Sequence, residues 1–476
     1  MALVPVHGSE LIAAPALIER EVADAVPAHV LAILRTLWSG GHAAYVVGGS
    51  VRDIAIGRVP GDWDLATDAL PERVQSLFPG AVYENRFGTV AVPSTHGRPV
   101  EITTFRVDHD YADFRRPHRV EFGDTIEADL ARRDFTVNAM AWGATAGGPA
   151  GAAGSGGAPR FVDPHGGLAD AAAGVLRAVG DPRTRFEEDA LRMIRAVRLA
   201  ATLGFGVEAG TLAGIQARSS LVAHLSGERI AAELERLLAA ARPSIGLRLM
   251  SDTDLLAPIS PDLAAQPGVA QNKIEGEDLW DHTLRSVDAA RPDRPVVRLA
   301  ALLHDIGKPS TLADGHFIGH DAAGADLAGA FLDRLRSPRS VRDRVVHLVR
   351  QHMFSYEPSW SDAAVRRFIL KIGEDAVEEL FELREADNIG SGLQADAGLL
   401  AELRARVRAE FEAEAVLDLH GLAIDGSDLI EALGVPPGPS LGRILDELLE
   451  RVIADPALND RPTLLLLAQA ALAEDG

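Results

Sequence analysis

Apolar spacing changes character near Asp181, and this change constrains the fold more than any other feature. Before it, short alternating or continuous apolar runs predict strands at Ala43 to Val47, Trp63–Ala66, Val82–Tyr83, Thr89–Val92 and Val100–Phe105. After it, apolar residues recur at helical spacing over Phe186–Leu203, Leu212–Arg218, Gly227–Ala241, Leu279–Ala289, Val296–Leu303, Asp326–Leu335 and Val341–His352. The last hundred residues, Asp375 to Ala473, continue the helical pattern around one Gly/Pro turn, Gly434 to Gly442. That turn reads equally as a phosphate-holding helix-hairpin-helix loop or as a plain helix connection. A chain of this kind is α+β: an N-terminal α/β module with a small mixed sheet, then an all-α remainder.

Within the first part, residues 1–24 read as a weakly ordered lead-in and Pro27 to Ser39 as a helix. Residues 143–159 are low-complexity Gly/Ala, with nothing to pack, and read as a disordered loop between strands Phe135–Trp142 and Arg160–Val162. There is no cysteine, which excludes disulfides, zinc fingers, iron–sulfur clusters and thiol chemistry. The N-terminus has no basic signal-peptide region, and Leu464 to Ala473 is shorter than the ~20 residues a bilayer requires. A soluble, cytoplasmic protein is expected, with no membrane partner. The formal net charge of −22 argues against indiscriminate nucleic-acid binding, though affinity follows local patches. Of 47 basic residues only Lys273, Lys308 and Lys371 are lysines.

The strongest local signal is Gly48-Gly49-Ser50-Val51-Arg52-Asp53, followed by Asp62-Trp63-Asp64. Gly-Gly between a strand and a helix lets backbone amides approach an anion. Aspartates at i and i+2 of a strand share a face, where they repel each other unless a divalent cation lies between them. Glu101, on a neighbouring predicted strand, is the expected third acid. Such a set suits nucleotidyl or phosphoryl transfer with Mg²⁺. Downstream, Arg132, Arg133, Asp134 and Asn138 cluster at a predicted strand start, cations for a triphosphate beside groups for a ribose hydroxyl.

Glu188-Asp189-Ala190-Leu191-Arg192-Met193-Ile194-Arg195 reads as helical, placing Asp189 and Arg192 on one face. The bland interpretation is an intrahelical ion pair. The chemical one follows from base edges: a carboxylate beside a guanidinium accepts from the amino group and donates to the ring nitrogen of cytosine or adenine. Uracil and guanine present the reverse pattern and would leave both charges unpaired.

These motifs together resemble the bacterial class II tRNA nucleotidyltransferases, the CCA-adding and poly(A) polymerase family. Gly227-Glu228-Arg229-Ile230 with Glu233 is similar to the family's neck motif, and Asp163-Pro164-x-Gly166-Gly167 to its post-sheet segment. The resemblance implies a head like that of DNA polymerase beta (25–180), a neck carrying the base-selecting helix (181–260), a body and a tRNA-contacting tail (396–476). It further implies that Asp62 and Asp64 bind Mg²⁺ with Glu101 assisting. Gly48, Gly49, Arg52, Asp53, Arg132, Arg133, Asp134, Asn138, Asp189, Arg192 and Arg195 would hold CTP or ATP, and tRNA would be the acceptor. Asp108 to Pro117 is similar to the family's flexible loop, which accompanies full CCA addition.

In the helical part, His282, His304, Asp305 and Asp387 form an ordered set resembling the HD phosphohydrolases, with Ile306-Gly307-Lys308 following. His316, His320, His347 and His352 are further imidazoles nearby in sequence. The resemblance implies an HD-type domain over 261–395 holding a second divalent metal (Mn²⁺, Ni²⁺ or Co²⁺) and hydrolysing phosphate esters, or a retained fold without activity. The rival readings are a poly(A) polymerase, an enzyme restricted to CC or A addition, and an HD hydrolase or nucleotide-sensing regulator with a degenerate head.

Overall fold

The computed structural model describes residues 15–85, 88–94, 98–109, 119–146, 157–271, 273–413 and 418–474. Two compact units divide the chain, 1–264 and 265–476. In the first, besides a short parallel pair Val175–Leu176 and Gly206–Val207, the strands are β1 (Ala44–Val47), β2 (Asp64–Thr67), β3 (Val82–Asn85), β4 (Thr89–Val92), β5 (Val100–Thr104), β6 (Arg106–His109), β7 (Arg119–Phe122), β8 (Ala141–Ala144) and β9 (Arg160–Val162). Seven of them form one sheet in the order β3-β4-β5-β2-β1-β8-β9. The β2–β5 pair is parallel and its neighbours are antiparallel, so the sheet is mixed as expected.

β1 is buried at all four positions, which explains its unbroken apolar sequence. Its side chains alternate between two cores. Ala44 and Val46 join Trp38, Leu34 and Ile102 on one face; Tyr45 and Val47 join Phe105 and Leu130 on the other. Helix Gly49–Ala55 follows β1 directly, and Gly48, its cap, has φ 73°. The backbone conformation calls for glycine, and a Cβ there would lie 2.8 Å from Arg133 Nη1 and displace that guanidinium.

Three local expectations are corrected. Residues 15–25, read as part of a weakly ordered lead-in, form helix Pro15–Ala25 with Ile18 and Val22 buried one turn apart against the head core. The continuous strand expected over Phe135–Trp142 is instead a 3₁₀ turn at Thr136–Asn138 followed by β8. The cause is local: the Asp134 carboxylate accepts from the Phe135 backbone and from the Asn138 amide, drawing the chain into a turn. β8 then takes in Gly143 and Ala144, which the sequence assigned to the Gly/Ala loop. Gly143 lies so close to β1 that a Cβ would be 2.2 Å from the Ala44 carbonyl oxygen. Residues 147–156 of that loop lie outside the described residues, as do 110–118 between the antiparallel pair β6 and β7. The first unit ends in helices, among them Leu191–Leu203 and the neck helix Gly227–Leu238.

The second unit is helical. Leu279–Ala289, Pro295–Leu303, His320–Arg334, Arg339–Gln351 and Glu374–Gly390 carry its polar interior. Helices Gly426–Leu433, Pro439–Ala454 and Arg461–Glu474 share an apolar core of their own. The Gly/Pro turn connects the first two of these, with Gly434 in the left-handed conformation. Among the described residues no helix is long and apolar enough to cross a membrane.

Candidate active site and metal cage

The parallel register of β2 and β5 sets Asp64 beside Glu101. Asp62 lies in the turn before β2 rather than on the strand, so its approach to Asp64 comes from loop geometry and not from strand alternation. Desolvation, then the neighbouring Asp62 and Glu101 carboxylates, push Asp64 up to about 6. Asp62, Asp64 and Glu101 together are a donor set suited to a hard divalent cation.

Asp62 and Asp64 line a cleft of about 660 Å³ together with Gly48, Gly49, Arg52, Arg132, Arg133, Asp134, Asn138, Asp189, Arg192 and Arg195. Asp53 adjoins it through Arg52, whose Nη2 lies 2.7 Å from Asp53 Oδ1. The structure therefore brings the head motifs to one place. It also adds Arg98, Arg198, Arg229 and Arg236 to the wall, which sequence reasoning did not single out. Arg229 lay inside the neck motif already noted; nothing in the sequence marked Arg98. Asp129 was also missed. Fully buried, it ion-pairs with Arg132 (2.5 Å) and Arg133 (3.1 Å), and its i+3 and i+4 spacing was the available signal.

Asp134 has a different role from the one expected. One oxygen accepts from Phe135 N (2.9 Å) and Asn138 Nδ2 (3.0 Å), the other from Arg195 Nε (2.8 Å) and Nη2 (2.6 Å). A carboxylate has about four acceptor sites, so none is left for a ribose hydroxyl. Burial would raise this carboxyl, but Arg195 and Asn138 outweigh it and hold it well below the usual range. Asp134 is thus a permanent anion that orients Arg195 and Asn138. Asn138 Oδ1 in turn accepts from Arg52 Nη1 at 2.7 Å.

The continuous helix expected through Glu188–Arg195 is broken. Helix Pro182–Glu188 ends at Asp189, whose φ −148° and ψ 105° are extended, and the next helix starts at Leu191. Asp189 and Arg192 consequently do not form an intrahelical pair. Arg192 Nη1 donates to Glu188 Oε2 (2.5 Å) and Arg185 O (3.0 Å), and Nη2 donates to Arg132 O (2.9 Å). Asp189 accepts from Arg229 Nη2 on the neck helix at 2.8 Å and from Leu191 N at 3.1 Å. Among the described residues, the five N–H groups of Arg192 leave Nε–H and one Nη2–H without a protein acceptor, and Asp189 Oδ2 retains one lone pair. The two side chains are held separately, with one donor edge and one acceptor site still open.

In the second unit the four expected ligands converge. His282 Nε2 lies 3.1 Å from His304 Nε2, 3.2 Å from Asp305 Oδ2 and 3.3 Å from Asp387 Oδ1. Two of the four additional histidines join them: His320 Nε2 lies 3.4 Å and His352 Nε2 3.8 Å from Asp305 Oδ1. His347 turns away to the Ile372 carbonyl, and His316 stands exposed in a turn. Burial pushes His352 down to about 4, so its imidazole is neutral at physiological pH.

A family model described as the poly A polymerase head domain matches residues 44–177, and one described as a probable RNA- and SrmB-binding site of polymerase A matches 204–266. A third, a putative tRNA nucleotidyltransferase domain 2, matches 322–468. With the acid-bearing mixed sheet opening on an arginine-lined cleft, these matches define the class: a nucleotidyltransferase. The CCA-adding enzymes of Geobacillus kaustophilus (33% identity, 90% of this chain and 94% of the relative) and Lactiplantibacillus plantarum (32%, 92% and 94%) align nearly end to end. The solved Bacillus stearothermophilus CCA-adding enzyme in complex with CTP superposes with a TM-score of 0.69 at 28% identity, covering 94% of this chain and 98% of that one. The chain belongs to the CCA-adding enzyme family.

Proposed function

We propose that the protein completes tRNA 3′ ends by adding two CMP and one AMP from CTP and ATP, acting in the cytoplasm. The observation that carries this reading is the open edge of Asp189 and Arg192, which line the same cleft as Asp62 and Asp64. Its open acceptor and donors match the amino group and ring nitrogen that cytosine and adenine share. Asp62 and Asp64 would hold Mg²⁺, with Glu101 adjoining; the cation supplies charge neutralisation at the transferring phosphoryl group. Arg132 and Arg133, tethered to Asp129, face the triphosphate, and Arg52 and Asn138 with the Gly48-Gly49 turn position the sugar and phosphates. A defined tRNA lacking its 3′ end is expected to gain two C and one A and then stop. An adenylate ladder on that substrate would make the enzyme a poly(A) polymerase.

A second reading concerns the helical unit. His282, His304, Asp305 and Asp387 converge as buried nitrogen and oxygen donors, a set that suits Mn²⁺, Ni²⁺ or Co²⁺. They support metal-dependent hydrolysis of phosphate esters, such as a 2′,3′-cyclic phosphate, alongside nucleotide addition. Metal-stimulated release of phosphate from such an ester, lost on His304→Ala, tests it.

A further inference from the structure

We propose that a cavity in the helical unit binds a single nucleotide, its base stacked on an aromatic wall and its phosphate held by Arg367 and Lys371. The cavity, of about 330 Å³, shares no lining residue with the head cleft or the histidine–aspartate cage. That volume lies at the lower end of the ~300–1,000 Å³ of small-molecule sites, room for one nucleotide and not for a duplex. One wall follows directly from sequence spacing. Ala364, Arg367, Phe368 and Lys371 fall at i, i+3, i+4 and i+7 of helix Asp362–Ile372, so a single helix face presents a small residue, an aromatic ring and two cations.

Phe354, Trp360 and Phe368 supply the aromatic lining. Phe368 already stacks on Phe381, at an interplanar angle of 15°. Trp360 is half-buried, and its ring neighbours meet it edge-on or tilted, at 77° to Tyr356 and 56° to Phe368. Among the described residues no aromatic ring stacks on the indole, which leaves its face to a base. Met353, 55% exposed, lines the same cavity, and its polarisable thioether packs well on an aromatic ring. Arg384 fixes this rim. It donates from Nη2 to the carbonyls of His352 and Phe354, and its guanidinium lies 4.6 Å over the Phe354 ring, so the cavity is formed before a ligand arrives.

The charged groups identify the ligand class. Lys371 is exposed and has no hydrogen bond or ion pair among the described residues. Arg367 Nε lies 2.9 Å from Glu450 Oε2, but the two side chains are 48% and 54% exposed, so the pair is weak and the Nη groups stay open. An ammonium and a guanidinium four residues apart on one helix face suit a phosphate, whose oxygens accept from both. Asp321, from helix His320–Arg334, adds an acceptor for a ribose hydroxyl. A stacking face beside two cations is the chemistry that recognises a nucleoside monophosphate, either free or as an unpaired residue of an RNA chain. A wholly apolar ligand would leave Lys371 unmatched, and an acidic peptide would leave the indole face bare.

The test photolyses the full-length protein with azido-AMP, the azide on the base, and in a parallel arm with a single-stranded oligoadenylate carrying the same azido base. Cross-linked peptides are mapped by mass spectrometry. Saturable labelling is expected within 350–372, competed by excess AMP and not by adenosine. Trp360→Ala and Lys371→Ala should each reduce it about fivefold or more. Lys371→Ala removes an exposed side chain, so it decides the question even if Trp360→Ala fails to fold. Stronger labelling by the mononucleotide assigns a free nucleotide, and stronger labelling by the oligonucleotide assigns an RNA residue. Labelling of the head cleft falls on other peptides, so loss of one site does not mimic loss of the other. The site is overturned if neither probe labels 350–372, if adenosine displaces the label as well as AMP does, or if Lys371→Ala leaves it intact.

Discussion

Asp189 and Arg229 are joined across 40 residues of chain: Arg229 Nη2 lies 2.8 Å from one carboxylate oxygen of Asp189 and 3.1 Å from the other. Asp189 sits at a break between two helices, where only the Leu191 and Arg192 N–H groups hold it locally. The neck helix adds a side-chain contact from outside. Arg229→Ala should therefore weaken discrimination of CTP and ATP against UTP and GTP by about tenfold or more, within the ~1–3 kcal/mol of one bidentate base contact. Misincorporation measured on a tRNA ending before the CCA checks it. Arg229→Lys should restore part of the selectivity, and unchanged selectivity in both variants would separate the neck contact from base choice.

Asp62→Ala and Asp64→Ala are expected to reduce nucleotide addition to trace levels, since each removes a carboxylate from the hard-oxygen cluster proposed to hold the cation. Single-turnover assays with CTP measure the loss. Substantial transfer by both variants would assign the cation elsewhere.

The raised Asp64 pKa, about 6 against an ordinary 3.8, makes its ionised form the costly one in metal-free protein. The destabilisation is present above about pH 6 and disappears as pH falls below the ordinary value. Asp64→Asn should thus raise the thermal midpoint measured in chelator at pH 7.5 and change little at pH 3.5. For the wild type, protons and Mg²⁺ compete for the same carboxylate. The Mg²⁺ concentration giving half-maximal activity should rise up to about tenfold per pH unit below 6.

Gly48→Ala places a side chain at φ 73° and puts its Cβ 2.8 Å from Arg133 Nη1. A backbone strain of about 1–3 kcal/mol is expected from calorimetry. The displaced Arg133 should cost considerably more in activity than the strain alone implies, seen as a raised KM for both nucleotides.

Deleting residues 110–116, between β6 and β7, should leave CC addition intact and block the final A, because one base-reading edge must serve two bases of different size. Normal CCA addition by the deletion variant, read on a sequencing gel, would remove the segment from the switch.

The strands, the helical remainder, the Asp62–Asp64 pair, the Arg132–Arg133 pair and the His304–Asp305 doublet were legible in the chain because each is a short-range pattern. Glu101 could be placed next to Asp64 because its strand was recognisable, although only the parallel register sets the two side by side. Helix Pro15–Ala25 was missed because its two buried residues, Ile18 and Val22, are too few to stand out from the prolines around them. The same limit hid the break at Asp189. Composition around it is helix-forming throughout, and the competing partner, Arg229, arrives from another helix.

Local order thus picked out the candidate residues: the Gly48–Asp53 turn, the Asp62–Asp64 pair, the Arg132–Arg133 pair and the His304–Asp305 doublet are adjacent or nearly so in sequence, and their types alone restrict what they can bind. Tertiary structure decided what each does. It saturated Asp134 and turned it into a support for Arg195, gave Asp189 to Arg229 instead of Arg192, and selected His320 and His352 over His316 and His347. Those outcomes depend on which side chains meet across the fold, where a buried carboxylate takes its strongest accessible partner and a buried imidazole is oriented by the carbonyl it meets.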